Sequence, residues 1–310
     1  MSDATAASWE APDLRSSVAL VTGASRGVGR GIALALGDAG ATVYVSARST
    51  RRGAQTEGLP GTLEDTAEEI DRRGGTAVVC CCDHRLDPAV IDLFRRIRQE
   101  RGRLDLLVNN AWSGYERYTD VKFDARFWEQ PMWRWDQYAQ SLRGQYLAAR
   151  LASELMRPRQ HGLIVNVGFR DRDVYLGQVA YDVCKMGSDR MVLGMAHELR
   201  KESIAAVALH PGFVRTERVE AAWAMLGEGP AEAVHSSEYV GRAIAHLMAD
   251  PELMGLSGEA LAVGDLARRY GFTDVDGRQP PAFRLEGRIT LANRMARLGR
   301  IAASAREQAG

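Results

Sequence analysis

Val18-Ala19-Leu20-Val21-Thr22-Gly23-Ala24-Ser25-Arg26-Gly27-Val28-Gly29 is the stretch that decides how this chain folds. Val18–Val21 is a short, continuously apolar run, which is what a strand buried on both faces requires. A glycine-rich turn follows it, and Arg30–Ala39 then takes up helical periodicity. Strand, glycine turn and helix in that order form a phosphate cradle. Gly23 permits the tight turn, Gly27 lets the backbone approach a pyrophosphate, and Gly29 lets helix and strand pack closely. The helix N-terminus presents unpaired N–H groups to the anion. Gly23, Ser25, Arg26, Gly27, Val28 and Gly29 are therefore expected to bind a dinucleotide. A glycine pattern alone carries little weight; its place between a strand and a helix gives it meaning.

Outward from that stretch, apolar runs alternate with helical patterns. Strands are expected at Thr42–Ser46, Thr76–Cys82, Leu104–Val108, Leu163–Val167, Ile204–Leu209 and Glu259–Val263. Helices are expected at Leu63–Arg73, Pro88–Arg101, Trp135–Met156, Tyr181–Lys201 and Tyr239–Ala249. This alternation specifies an α/β fold, a doubly wound Rossmann-type parallel sheet with helices on both faces. The expected organisation is a flexible leader over 1–17, one catalytic domain over 18–275 and a C-terminal extension over 276–310. An aromatic-rich insertion, 113–134, is too long for a plain connection and is expected to be functional or to carry its own structure.

Composition narrows the function. The 310 residues carry 40 basic and 40 acidic side chains, so no global field draws the chain to nucleic acid or a membrane surface. No apolar run is long enough to span a bilayer, and the first residues lack a secretory pattern. The four cysteines, three of them adjacent at Cys80–Cys82, suit neither a disulfide framework nor a metal site, and they fit a buried strand in a reducing cytoplasm. The expectation is a cytoplasmic protein acting on a small molecule, with no metal.

The second strand ends Val45-Ser46-Ala47-Arg48-Ser49, without the acid that bonds the ribose hydroxyls of NAD. Arg48, with Ser49 beside it and Arg26 from the glycine loop, suits a 2′-phosphate, which a planar guanidinium can grip through two hydrogen bonds. NADP(H) is accordingly the expected cofactor. Asp83 and Asn109-Asn110-Ala111 close the third and fourth strands, at the edge where such sheets bind ligands.

Together with Tyr181-Asp182-Val183-Cys184-Lys185 and Pro211-Gly212-Phe213-Val214-Arg215-Thr216, these motifs occur in the order found in classical short-chain dehydrogenases/reductases, which the chain resembles from about Ser17 to Val263. Asn110-Ala111-Trp112, Phe127-Trp128-Glu129-Gln130-Pro131 and Asp265–Gly271 followed by Asp274–Gly277 narrow the resemblance to one branch of that family. The resemblance implies about seven parallel strands, NADP(H) use and carbonyl reduction. It implies that Asn110 and Ala111 line the cofactor and that Pro211, Gly212, Val214 and Thr216 meet the nicotinamide carboxamide. It also implies a homodimer or homotetramer built on the Trp135–Met156 and Tyr181–Lys201 helices.

Tyr181 and Lys185 lie four apart and so share a helix face. An ammonium and a nicotinamide ring beside the phenol favour its ionised form, lowering its pKa and suiting Tyr181 to proton transfer. The family's serine is missing, because its place falls at Gly168 or Phe169. The usual asparagine of the long helix is replaced by Ser141, which can still order a relay water. Ser113, Tyr115 and Tyr175 are the candidate replacement donors, with Trp112 as a further substrate contact. A protonated imine needs no such donor, and Asp171 or Asp173 would suit one. Two readings follow: an oxidoreductase acting on a C=O or C=N bond of a bulky molecule, or an NADP(H)-binding sensor or scaffold with little catalysis. The basic tail, with Leu291, Met295, Leu298 and Ala302 at helical spacing, reads as a helix docked on its own or a neighbouring subunit, or as a surface helix for a membrane or partner.

Overall fold

The structure is a computed structural model that describes residues 9–53, 55–169, 174–226 and 234–284. Seven parallel strands form one sheet in the order β3-β2-β1-β4-β5-β6-β7: β1 Val18–Thr22, β2 Thr42–Ala47, β3 Thr76–Cys81, β4 Leu106–Asn109, β5 Gly162–Val167, β6 Ile204–His210 and β7 Ala260–Ala262. The strand order reverses between β1 and β4. Thr22 and Asn109 end side by side there, and the crevice beyond them is where sheets of this kind take ligands.

Alternation along the strands divides the core. Ala19, Val21, Val43, Val45, Val108 and Val165 face one side, beneath α1 (Gly27–Asp38), α2 (Leu63–Arg72) and a helix over Ser237–Ala249. Leu20, Tyr44, Leu107, Ile164 and Ala206 face the other, beneath α3 (Asp87–Arg101), α4 (Met132–Met156) and α5 (Val179–Leu199). Short helices α6 (Glu217–Leu226) and α8 (Val263–Tyr270) flank α7, the Ser237–Ala249 helix. Among the described residues, no helix is long and apolar enough to cross a membrane.

Four sequence expectations need correction. The expected flexible leader 1–17 is anchored from Trp9 onward: the Trp9 indole donates to His246 Nε2 at 3.2 Å, and Leu14 is buried with its N–H donating to the Ala39 carbonyl at 2.8 Å. The boundary at 275 cuts through packed chain: Tyr239 donates to the Pro280 carbonyl at 3.0 Å, and Phe283 packs beside the crevice. The third strand is an edge strand, so Cys80 is buried while Cys81 is exposed. Finally, Val263 does not extend the last strand; it opens α8, whose apolar residues Val263, Leu266 and Ala267 turn inward at helical spacing.

The insertion has its own architecture. Its last turn is the start of α4, and there Arg134 is 2% exposed. The guanidinium donates to the carbonyls of Val121 at 2.6 Å and Lys122 at 3.1 Å and to Gln130 Oε1 at 2.6 Å. Gln130 in turn donates to the carbonyls of Phe123 and Ala125. A buried cation thus satisfies backbone acceptors that a long loop would otherwise leave to water.

Candidate active site

One cleft of about 390 Å³ runs along the carboxyl edge of the sheet, from the glycine loop to the aromatic insertion. At its first end the loop meets the requirements of a phosphate cradle. Gly23 has φ +70°, and a Cβ there would lie 2.9 Å from Ala111 Cα. A Cβ on Gly29 would lie 2.2 Å from the Gly23 carbonyl oxygen, so neither position admits a side chain. The Gly27 N–H opens α1 with no side-chain cap from Arg26, and its hydrogen bond goes to the Glu217 carboxylate at 2.8 Å. The cradle therefore presents a donor already matched to an anion.

The structure places the expected cofactor residues in two groups. Ser25, Val28, Arg48, Ser49, Asp83, Ala111, Pro211, Gly212, Val214 and Thr216 line the cleft; Gly29 lies buried behind it. Arg26 and Asn110 also line it, but each is engaged in building it. Arg26 donates to the carbonyls of Thr56, Pro60 and Gly61, to Thr56 Oγ1 and to Ser49 Oγ at 2.9–3.1 Å, which occupies all of its N–H groups. It fastens the loop after β2 to the glycine turn. Asn110 Nδ2 donates to the Thr22 carbonyl at 2.9 Å, while Thr22 Oγ1 accepts from the backbone of Asn110 and Ala111. Arg48 remains directed into the cleft, where it pairs with Glu116, which also meets Arg85 at 3.3 Å. Asp83 is bound by Arg85 at 2.7 Å.

The second end of the cleft is aromatic. Gln178 caps α5 by accepting from the Tyr181 N–H at 3.2 Å, which sets Tyr181 and Lys185 on the inward face. Tyr181 is 2% exposed, with the rings of Trp112, Phe123 and Tyr138 edge-on at 5.5–5.9 Å. The Lys185 ammonium lies 3.9 Å over the Trp112 ring and 5.5 Å from that of Tyr181. Burial pushes Lys185 down to about 8, against the pull of Asp189. Burial, with Tyr115 and Tyr138 adding to it, holds Tyr181 well above its ordinary value. The phenol is therefore protonated, and desolvation outweighs the lysine influence expected from spacing.

Phe169 and Gly168 line the cleft where a serine was expected. A Cβ on Gly168 would lie 3.1 Å from the His210 ring, which is itself bonded to Asp189 at 3.0 Å. Of the candidate donors, Ser113 is buried against Ser141 Oγ at 3.1 Å and the Gln137 carbonyl. Ser141 also lines the cleft and donates to the Gln137 carbonyl at 3.0 Å. Tyr175 stands 52% exposed outside the cleft. Tyr115 lines the cleft beside Tyr181, where its presence adds to burial in holding the Tyr181 phenol protonated. Asp171 and Asp173, like the tail from 285 onward, lie outside the described residues.

Sequence reading missed Glu116, Glu217, Arg218 and Phe283. Arg218 bonds Glu57 on the opposite rim at 2.7 Å, and its guanidinium covers the rings of Tyr115 and Tyr118 at 5.2 and 5.4 Å. Phe283 packs on Phe169 and Phe213 at 5.7 and 6.5 Å, behind the part of the cleft that those two rings line. Among the described residues no cluster of His, Cys, Asp or Glu is arranged to hold a metal.

The model of a family described as short chain dehydrogenase matches residues 17–227. Over 277 residues the chain is 39% identical to dehydrogenase/reductase SDR family member 1 of Mus musculus, covering 86% of this chain and 85% of that one. The Homo sapiens protein of the same description is 38% identical over 280 residues, covering 86% of each. A solved short chain dehydrogenase from Mycobacterium thermoresistibile superposes with a TM-score of 0.74 at 26% identity, covering 88% of this chain and 95% of that one.

Proposed function

The chain belongs to the short-chain dehydrogenases/reductases, and from that premise we propose that it is an NADP(H)-dependent oxidoreductase reducing a C=O or C=N bond of a bulky, partly aromatic molecule. The observation that carries this reading is the continuity of one cleft, from the glycine cradle past Tyr181 and Lys185 to an aromatic wall. Arg48, with no acid at the end of β2, supports NADP(H) over NAD(H).

Bound along the cradle, NADPH would supply the hydride. Tyr181 is the proton donor: burial keeps its phenol protonated until negative charge develops on the substrate oxygen or nitrogen. Lys185 brings positive charge against the Trp112 ring beside it, which favours proton release from the phenol. Tyr115 stands in for the missing serine as the second donor at the reacting atom. Trp112, Phe169 and Phe213 exclude water and hold a flat, apolar substrate. Four free cysteines suit a reducing compartment, and the reading extends to a cytoplasmic protein.

The test is a panel of ketones, aldehydes, quinones and cyclic imines with NADPH, followed by Tyr181→Phe on whichever substrate turns over. We expect kcat to fall by about 10²–10⁴. Unchanged turnover removes Tyr181 from the donor role. Tight NADPH binding with no turnover across the panel points instead to a sensor or scaffold.

A further inference from the structure

Two carboxylates stand where the cleft would receive phosphates. Glu217 opens α6 and reaches across 190 residues of sequence to accept from the Gly27 N–H at 2.8 Å. Glu116 leaves the turn after β4 and pairs with Arg48 at the end of β2, with Arg85 as its second partner at 3.3 Å.

We propose that Glu217 and Glu116 set the coenzyme affinity and preference of this cleft by competing with phosphate for its donors: Glu217 for the donor of the diphosphate subsite, Glu116 for that of the 2′-phosphate. The inference rests on the NADP(H) reading above. A carboxylate shares with a phosphate its negative charge and its acceptor oxygens, so the same donors suit both. The two cannot share one subsite, since like charges a few ångströms apart repel and a single N–H serves one strong acceptor. Coenzyme binding is therefore an exchange in which each carboxylate leaves as a phosphate arrives.

Both carboxylates are delivered by built segments. Arg218, next to Glu217, is tied to Glu57 on the far rim and stacks on Tyr115 and Tyr118, which lays the first turn of α6 across the cleft. The Glu116 N–H donates to the Ser113 carbonyl at 3.1 Å, closing a turn that sends Tyr115 toward Tyr181 and Glu116 toward Arg48. Arg48 and Glu116 are only 26% and 20% exposed, so water weakens their attraction less than it would on an open surface.

The two subsites differ in what they sense. Every nicotinamide dinucleotide carries the diphosphate, but only the phosphorylated form carries the group that Arg48 would hold. Dissociation constants of NADPH and NADH, measured by fluorescence titration on the full chain, separate the two residues. Glu217→Gln and Glu116→Gln retain shape and one acceptor while removing the charge. We expect Glu217→Gln to tighten both coenzymes alike, by about 3–10-fold, and Glu116→Gln to tighten NADPH by a similar factor while leaving NADH unchanged. Thermal melts matching the unaltered chain confirm that each variant is folded, and Glu217→Ala and Glu116→Ala provide replacements where one is not. Unchanged or weaker NADPH binding in the folded variants, with the unaltered chain binding NADPH normally, overturns this inference alone. Absence of NADPH binding to every form overturns both it and the coenzyme reading.

Discussion

Lys185 shows what a buried charge costs and what it is for. The residue is 8% exposed, and burial lowers its pKa from 10.5 to about 8. The unfolded chain therefore holds a proton between pH 8 and 10.5 that the folded chain has lost. The cost of burying the charge, about 3 kcal/mol, is complete below pH 8 and relieved as the pH climbs to 10.5. Lys185→Met should accordingly melt higher than the unaltered chain at pH 7, with the gap narrowing from pH 8 upward; calorimetry across that range checks it. Tyr115 makes a separate prediction. Tyr115→Phe should lower kcat by about 10²–10³ with little change in NADPH affinity, the expected loss for one donor to a developing charge; a loss confined to KM would leave the phenol as a packing group. The legibility of these residues follows from distance along the chain. Tyr181 and Lys185 are a local pair, one helical turn apart, and spacing reveals them. Glu217 and Glu116 are defined by partners 190 and 68 positions away, and no local pattern marks them. The raised pKa of Tyr181 is likewise a product of the Trp112, Phe123 and Tyr138 rings, which converge only in three dimensions.

Among the elements, strands β1, β2, β5 and β6 were legible because both of their faces are buried and their sequences are continuously apolar. β3 carries the same signal on an edge, and its exposure depends on strand order, which periodicity does not encode. The insertion was legible as an anomaly and illegible as a structure. Its core is a cation, and an arginine in sequence reads as surface. Arg134→Met should release the Val121 and Lys122 carbonyls, at about 1.5–3 kcal/mol for each hydrogen bond lost to the charged guanidinium. Hydrogen exchange should then quicken by about 10²-fold across 118–134 while the amides of β1, β4 and β5 keep their protection. Equal quickening throughout the sheet would show that the insertion is part of the same cooperative unit.

At the scale of the molecule, the described surface carries an apolar strip on the outer side of two long helices. Val179, Val183 and Leu193 are 42–47% exposed and fall within one stripe of α5 at 3.6 residues per turn, and Tyr146 of α4 is 58% exposed. Such strips mark interfaces, and closed symmetric assemblies are the commonest way to cover them. We expect light scattering to give a dimer or tetramer, and Val183→Asp with Leu193→Asp to shift it toward monomer; an unaltered mass would move the contact elsewhere. Phe283 has a consequence of another kind. It backs Phe169 and Phe213 from a segment that follows all seven described strands, and it fits there only because Gly212 has no side chain: a Cβ would lie 2.3 Å from Phe283 Cβ. The shape of the cleft's aromatic lining thus depends on a residue that lies beyond the last described strand.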